Sequence, residues 1–315
     1  MNGTHDAITT LDRRSFLTKT AAGAAILLTA SGVGLNPSWA ALAHAQEATP
    51  APGGSTLDGL GLPLLEVMIE VDGTIVIPDE VPAGTVLLRV HSMMEGEGSF
   101  LLVQPPDGIT EEDVQAAIVA PEIPTFLHQS VVNGGIEFLP DTGTNDASAQ
   151  EVAFNLGAGP WYAVQTSEQS QSQYKIVTAV GDPAIVNIPA LVDVTTSHHD
   201  FEIASEVTSG PAIWKFTNAD PVLHHMVLFS YPEAITEDQA LQALMASEGM
   251  ATPPSGLDPA KIRFVGATGL LSRDQTVYQE FDLEPGTYFS VCYLSDPGMD
   301  TPHVANGMIQ VFTSV

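Results

Sequence analysis

From residue 60 onward the chain reads as one unit written twice. Ile77-Pro-Asp-Glu-Val-Pro-Ala-Gly84 returns as Ile203-Ala-Ser-Glu-Val-Thr-Ser-Gly210. Phe154-Asn-Leu-Gly-Ala-Gly-Pro-Trp-Tyr-Ala-Val-Gln165 returns as Phe281-Asp-Leu-Glu-Pro-Gly-Thr-Tyr-Phe-Ser-Val-Cys292, so the offset is 126 to 127 residues. Between these ends Ser99-Phe-Leu-Leu-Val103 stands opposite His225-Met-Val-Leu-Phe229, and Ile109-Thr-Glu-Glu-Asp113 opposite Ile235-Thr-Glu-Asp-Gln239. A repeat of this length is expected to fold as two copies of one plan. The plan is β: Val277, Phe281 and Leu283 alternate with Tyr278, Glu280 and Asp282, and Gly- or Pro-containing turns separate such segments throughout. Thr236 and Gln239 form a capping-box signature, and Ala240, Leu241, Leu244 and Met245 follow at helical spacing, so each copy carries a short helix insert. The expectation is an all-β chain of two tandem Greek-key β-sandwich domains, 60–185 and 186–315, meeting near Gly181-Asp-Pro183. A pair of immunoglobulin-like sandwiches fits the same periodicity.

With 315 residues, 44% of them hydrophobic, the chain has apolar material for two cores. Thirty-eight acidic against nine basic residues give a formal charge of -29, which repels phosphate backbones and anionic headgroups. Nucleic acid is excluded as a partner and a cationic protein is favoured. A single cysteine, Cys292, rules out an internal disulfide and a cysteine-based zinc cluster. No P-loop, dinucleotide fingerprint or Ser-His-Asp order is present.

Soft and borderline ligands gather at the end of the second copy. Cys292 ends an apolar strand, ten residues intervene before His303, and four more before Met308, which opens the strand Ile309 to Phe312. Thiolate, imidazole and thioether together suit copper, because sulfur stabilises Cu(I), nitrogen accommodates Cu(II), and a fixed mixed set keeps reorganisation small. Such a set needs a second imidazole, and the segment Asn218 to Phe229 offers His224 or His225. Met299, in the bulge Asp296 to Thr301, is the weaker thioether candidate. His91 with Met93 and Met94 reads as a turn before a strand, and His198-His199 as an exposed pair with no third partner. Both groups stay outside the site. In the first copy Gly98, Ser99 and Gln165 stand where the second has His224, His225 and Cys292, so that copy lacks the ligands.

At these residues the sequence resembles the cupredoxin family of type 1, or blue, copper proteins. Their metal loop runs Tyr-x-x-x-Cys, a spacer, Pro-x-His and a Met shortly after, beside Tyr288-Phe-Ser-Val-Cys292 and Pro302-His-Val-Ala-Asn-Gly-Met308 here. His224-His-Met-Val-Leu228 resembles the segment that supplies the upstream ligand, which puts His224 in the ligand position and His225 in that of a neighbouring asparagine. His225 is the alternative. The resemblance implies two cupredoxin-like domains, of which the second holds one copper through His224, Cys292, His303 and Met308. It implies an electron carrier serving a redox protein partner rather than a catalyst. The spacer is longer than in the small members of the family. Multicopper oxidases chain such domains too, but they need more histidines than the seven that lie beyond residue 45, and they place histidine beside the copper cysteine, where this chain has Val291 and Tyr293. A copper-binding or cell-surface module, or the type 1 copper subunit of a larger oxidase or reductase, is the alternative function.

Asp12-Arg-Arg-Ser-Phe-Leu-Thr-Lys19 resembles the twin-arginine export signal. The weakly apolar run Ala21 to Leu35 follows, broken by Gly23, Ser31 and Gly32 and short of the ~20 apolar residues of a membrane span. Ala43-His44-Ala45 supplies small residues for cleavage before Gln46, with Ser38-Trp39-Ala40 as a second place. Residues 1–45 therefore read as a signal peptide and 46–59 as a low-complexity linker. Export to the periplasm, cell surface or medium follows, with no membrane span after cleavage.

Overall fold

The computed structural model describes residues 57–94, 98–119, 123–138, 150–167, 172–247, 251–253, 255–297, 299 and 301–315. The expected signal peptide and most of the linker lie outside them. The first copy contributes β1 (Leu64–Ile69), β2 (Ile75–Val76), β3 (Glu80–Ser92), β4 (Gly98–Gln104), β5 (Val131–Phe138), β6 (Gln150–Leu156), β7 (Gly159–Ser167) and β8 (Gln173–Ala184). The second contributes β9 (Val192–Ser197), β10 (Asp200–Glu202), β11 (Glu206–Val207), β12 (Gly210–Asn218), β13 (Val227–Tyr231), β14 (Arg263–Ala267), β15 (Thr276–Leu283), β16 (Gly286–Val291) and β17 (Ile309–Ser314). The α-helices among the described residues are Glu111–Val119, Ile123–Gln129 and Glu237–Ser247, so the chain is all-β with short helix inserts. None of them is long and apolar enough to cross a membrane.

Several ladders recur in the two halves of the chain. β1 lies parallel to β3 as β9 does to β12, and β3 pairs antiparallel with β6 as β12 does with β15. The ladders β5-β4-β7-β8 and β14-β13-β16-β17 match in the same way. One difference changes the sheet count. β3 is a single bent strand that starts on β8 and continues on β6, whereas the second copy splits this path into β11 on β17 and β12 on β15. Gly84 sits at the bend with φ +117, and a Cβ there would come within 2.4 Å of the Ala184 backbone, so both the conformation and the approach require glycine. The first copy is thereby fused into one array, which β6 extends into the second copy by pairing with β15. The resulting sheet has 12 strands, and β11-β17-β16-β13-β14 forms a separate 5-stranded sheet. Gly181 and Pro183 fall inside β8, and Leu57, at the end of the expected linker, is buried against Leu87, Ala153 and Ile213.

Alternating burial on β9 and β15 turns Val192, Val194, Val277, Phe281 and Leu283 inward, where Trp214, Phe216 and Phe312 meet them. The helix Glu237–Ser247 lays Ala240, Ala243 and Leu244 over Phe229, Phe289 and Val291. Its capping box forms as the spacing predicts, with Thr236 N donating to Gln239 Oε1 at 2.9 Å and Gln239 N to Thr236 Oγ1 at 3.3 Å. Equivalent aromatic residues repeat one local device: Trp161 Nε1 donates to Gly157 O at 2.8 Å, and Tyr288 Oη to Glu284 O at 2.9 Å.

The copies also meet away from the shared sheet. Ser272 Oγ donates to Ser130 O and accepts from Val132 N, both at 2.8 Å, and Asn133 Nδ2 donates to Gln275 Oε1 at 3.0 Å. Gly135 and Gly269 touch so closely that a Cβ on Gly269 would lie 2.1 Å from the Gly135 backbone.

Candidate metal centre

The strand registers bring the sulfur residues together. Val227 pairs with Val291, and Val291 with Ile309, so the next positions outward on the three strands are Met226, Cys292 and Met308, all buried. Beyond Cys292 the chain folds back on itself. His303 N donates to Leu294 O at 2.7 Å, Val304 N to Cys292 O at 2.8 Å, and Ser295 bridges to Pro302. The long spacer thus closes as a hairpin and returns His303 to the cysteine. Met299, within it, is 58% exposed. A 3-10 turn, His303–Asn306, ends at Gly307 with φ +101, a conformation that suits glycine, and Met308 N then donates to His303 O at 2.9 Å.

His224 arrives from the opposite side, its backbone bridged in both directions to Leu271. Cys292 Sγ lies 3.6 Å from His224 Nδ1 and 3.4 Å from His303 Nδ1, and one ligand atom from each residue falls within 4.8 Å of the others in a fully buried group. His225 takes a different part: its Nε2 accepts the Tyr293 N–H at 3.0 Å. Carboxylates hold the far nitrogens of the other two rings, Asp220 Oδ2 at 3.1 Å from His224 Nε2 and Asp296 Oδ1 at 3.3 Å from His303 Nε2. A ring nitrogen that donates to a carboxylate carries the proton, so the Nδ1 lone pairs face the cysteine, as a metal requires.

Burial raises the Cys292 pKa, but His225, His224 and His303 outweigh it and draw the thiol well below its ordinary value. Burial lowers His303, and Cys292 with Asp296 more than restores it. Burial likewise raises Asp220, yet the amides of His199 and His198 and the His224 ring hold it below the usual carboxylate value. A sulfur whose thiol is drawn toward the thiolate, against two oriented imidazoles, is a donor set for a soft or borderline metal, whereas hard cations take oxygen ligands. Two imidazoles and a cysteine sulfur suit copper, and the buried Met308 stands next to Cys292 in register.

Four residues of the surroundings take parts that sequence reasoning did not assign to them. Asp220 and Asp296 orient the rings. His128, from the helix Ile123–Gln129 of the first copy, brings its Nδ1 to 3.5 Å from Leu223 N, with burial pushing its pKa down and Asp296 opposing. His199, read as an exposed residue outside the site, stacks on His303 at a centroid distance of 4.6 Å and meets Asp296 Oδ1 at 3.3 Å. Its turn carries a signal that the reading passed over: two histidines in a two-residue hairpin where Asn-Gly is the ordinary choice. In the first copy Gln165 fills the place of Cys292, buried, with Nε2 donating to Met94 Sδ at 3.1 Å.

No family model matches this chain, and no curated protein does. Among solved structures it is similar to auracyanin from the photosynthetic bacterium Roseiflexus castenholzii, 23% identical over 39% of this chain and 94% of that one, with a TM-score of 0.26. It is similar to rusticyanin at 20% identity over 39% of this chain and 77% of that one, TM-score 0.24. A multi-copper oxidase from Pediococcus acidilactici is 13% identical over 82% of this chain and 61% of that one, TM-score 0.23. Likenesses this weak carry no weight about function, which rests on the site itself.

Proposed function

We propose that the protein is an exported electron carrier of the cupredoxin type, holding one copper through His224 Nδ1, Cys292 Sγ, His303 Nδ1 and the Met308 thioether. The observation that carries this reading is the buried convergence of Cys292 Sγ with two Nδ1 atoms whose Nε2 partners are both carboxylates. Copper bound there supplies a one-electron couple, Cu(II)/Cu(I). The chain's own residues do the rest. Asp220 and Asp296 fix the ring tautomers, and the buried sheet end excludes water. The Leu271 bridge and the closed hairpin hold His224 and His303 in place, so that neither has to move when the electron does. The Arg13-Arg14 signal supports export, and the excess of acidic residues supports a cationic redox partner.

Copper titration of the mature protein tests the reading. One copper per chain, with an intense visible sulfur-to-copper band that ascorbate bleaches and ferricyanide restores, is expected, and Cys292→Ser erases the band. A colourless site, or two coppers per chain, overturns it. A module that merely stores metal gives no reversible bleaching.

A further inference from the structure

Resting on the electron-carrier reading, we propose that the electron enters and leaves through the ring of His199. His303, the residue of the set nearest the surface loop, is only 1% exposed, and His224, Cys292 and Met308 are fully buried. No proposed ligand offers an edge to a partner. His199 lies over His303 with the rings at 4.6 Å and an interplanar angle of 28°, meets His224 edge-on at 5.6 Å, and leaves 40% of its side chain exposed. Electron transfer falls off steeply with each added ångström of separation, so a partner docked on His199 stands at a shorter through-contact distance than one docked elsewhere on the covering loop.

A second observation, independent of the stacking, says that this ring is held there on purpose. Ser197 pairs with Asp200, which makes His198-His199 a two-residue hairpin turn, and both residues have φ near +55, at 55 and 57. Positive φ is uncommon outside glycine even for histidine, which tolerates it better than most, so two such residues in succession mark a turn held by its surroundings. Asp220 holds the turn by accepting His198 N at 2.9 Å and His199 N at 2.8 Å. The same carboxylate orients His224, so the exposed ring and the buried site share one anchor. On the far side Asp296 Oδ1 lies 3.3 Å from Nε2 of both His199 and His303.

The electron balance is simple with a cationic outer-sphere oxidant. One electron passes from the reduced centre across the His303–His199 stack to hexaammineruthenium(III), which becomes ruthenium(II), and no bond forms or breaks and no proton moves. Two variants that carry the same backbone burden but differ in the ring make the test. His199→Phe is expected to keep the rate with hexaammineruthenium(III), while His199→Leu lowers it on the order of tenfold, both with the visible band intact. An unchanged rate in His199→Leu overturns the proposal. Loss of the band in the native chain would instead sink the copper reading beneath it. A measurement on the metal-free native chain stands apart from both variants: diethyl pyrocarbonate is expected to modify His199 and spare His303, and modification of His303 first would show that His303 itself is the exposed edge.

Discussion

Asp220 accepts three N–H groups at once, from the amides of His198 and His199 and from Nε2 of His224. Asn218 fixes it in turn, accepting from Asp220 N at 2.9 Å while donating to Val222 O and Leu271 O. Asp220→Asn keeps the shape but removes the charge and one acceptor, and the expected outcome is a loss of metal affinity of ~10- to 100-fold, read by competition with a copper chelator. The same residue gives a pH dependence. Its folded pKa lies below the unfolded one, so its stabilisation is present above about pH 4 and drains away as pH falls through the folded value. Urea midpoints of the metal-free protein are therefore expected to fall on acidification from pH 5 to pH 3 more steeply in the native chain than in Asp220→Asn. Parallel curves would mean that Asp220 does not couple to folding. The adjacent histidines separate by role: His224→Ala abolishes the copper spectrum, and His225→Ala, which frees the Tyr293 amide, retains the band with a shifted reduction potential. The reverse result would move the ligand to His225. At this scale the spacing of Cys292, His303 and Met308 announces a shared site because Cys292 directly follows β16 and Met308 directly precedes β17, with His224 just upstream of β13. The carboxylates and His199 do not announce themselves, since acidic residues are everywhere in this chain and a hairpin turn reveals its neighbour only once folded.

Between elements, the route from the first copy to the site runs through Leu271. Its backbone is bridged to His224, and its neighbour Ser272 is tied to Ser130 and Val132. Ser272→Ala strands the Val132 amide and the Ser130 carbonyl, at a cost of about 1–3 kcal/mol. Because the strain falls next to His224, the copper hyperfine splitting is expected to change together with the melting temperature. A melting change with an unaltered spectrum would show that the two copies are joined without influence on the site. Gly269→Ala drives a Cβ into the Gly135 backbone at 2.1 Å, an overpacking that costs about 1–3 kcal/mol. The 126-residue offset matched the segments around β3, β4, β6 and β7 with those around β12, β13, β15 and β16, and left β1, β5, β9 and β14 unmatched. It did not reveal that β6 and β15 join edge to edge, because edge pairing leaves no periodicity, nor that a bend at Gly84 fuses the sheets of the first copy.

For the whole molecule the governing quantity is charge. The formal -29 is spread over 38 acidic residues, so the field at the surface is a collective property that no single neutralisation removes. Asp296 lies in the loop between Cys292 and His303, and its carboxylate is turned onto His303 and His199 rather than held free for a partner. Two effects that would otherwise be confused can then be told apart. Salt dependence belongs to the collective field: the rate with hexaammineruthenium(III) is expected to fall with ionic strength, and the rate with ferricyanide to rise, as the Debye length shrinks from ~30 Å at 0.01 M to ~10 Å at 0.1 M. Site perturbation belongs to Asp296: Asp296→Asn is expected to shift the visible band and the reduction potential, because it weakens the acceptor that fixes His303, while leaving both salt slopes nearly unchanged. Stopped-flow rates against ionic strength, recorded with the absorption spectrum of the same samples, decide the matter. Slopes of the same sign for the two probes would show that the field at the exit is not negative, and a collapsed slope in Asp296→Asn with an unaltered band would return that carboxylate to the docking surface and take it away from His303.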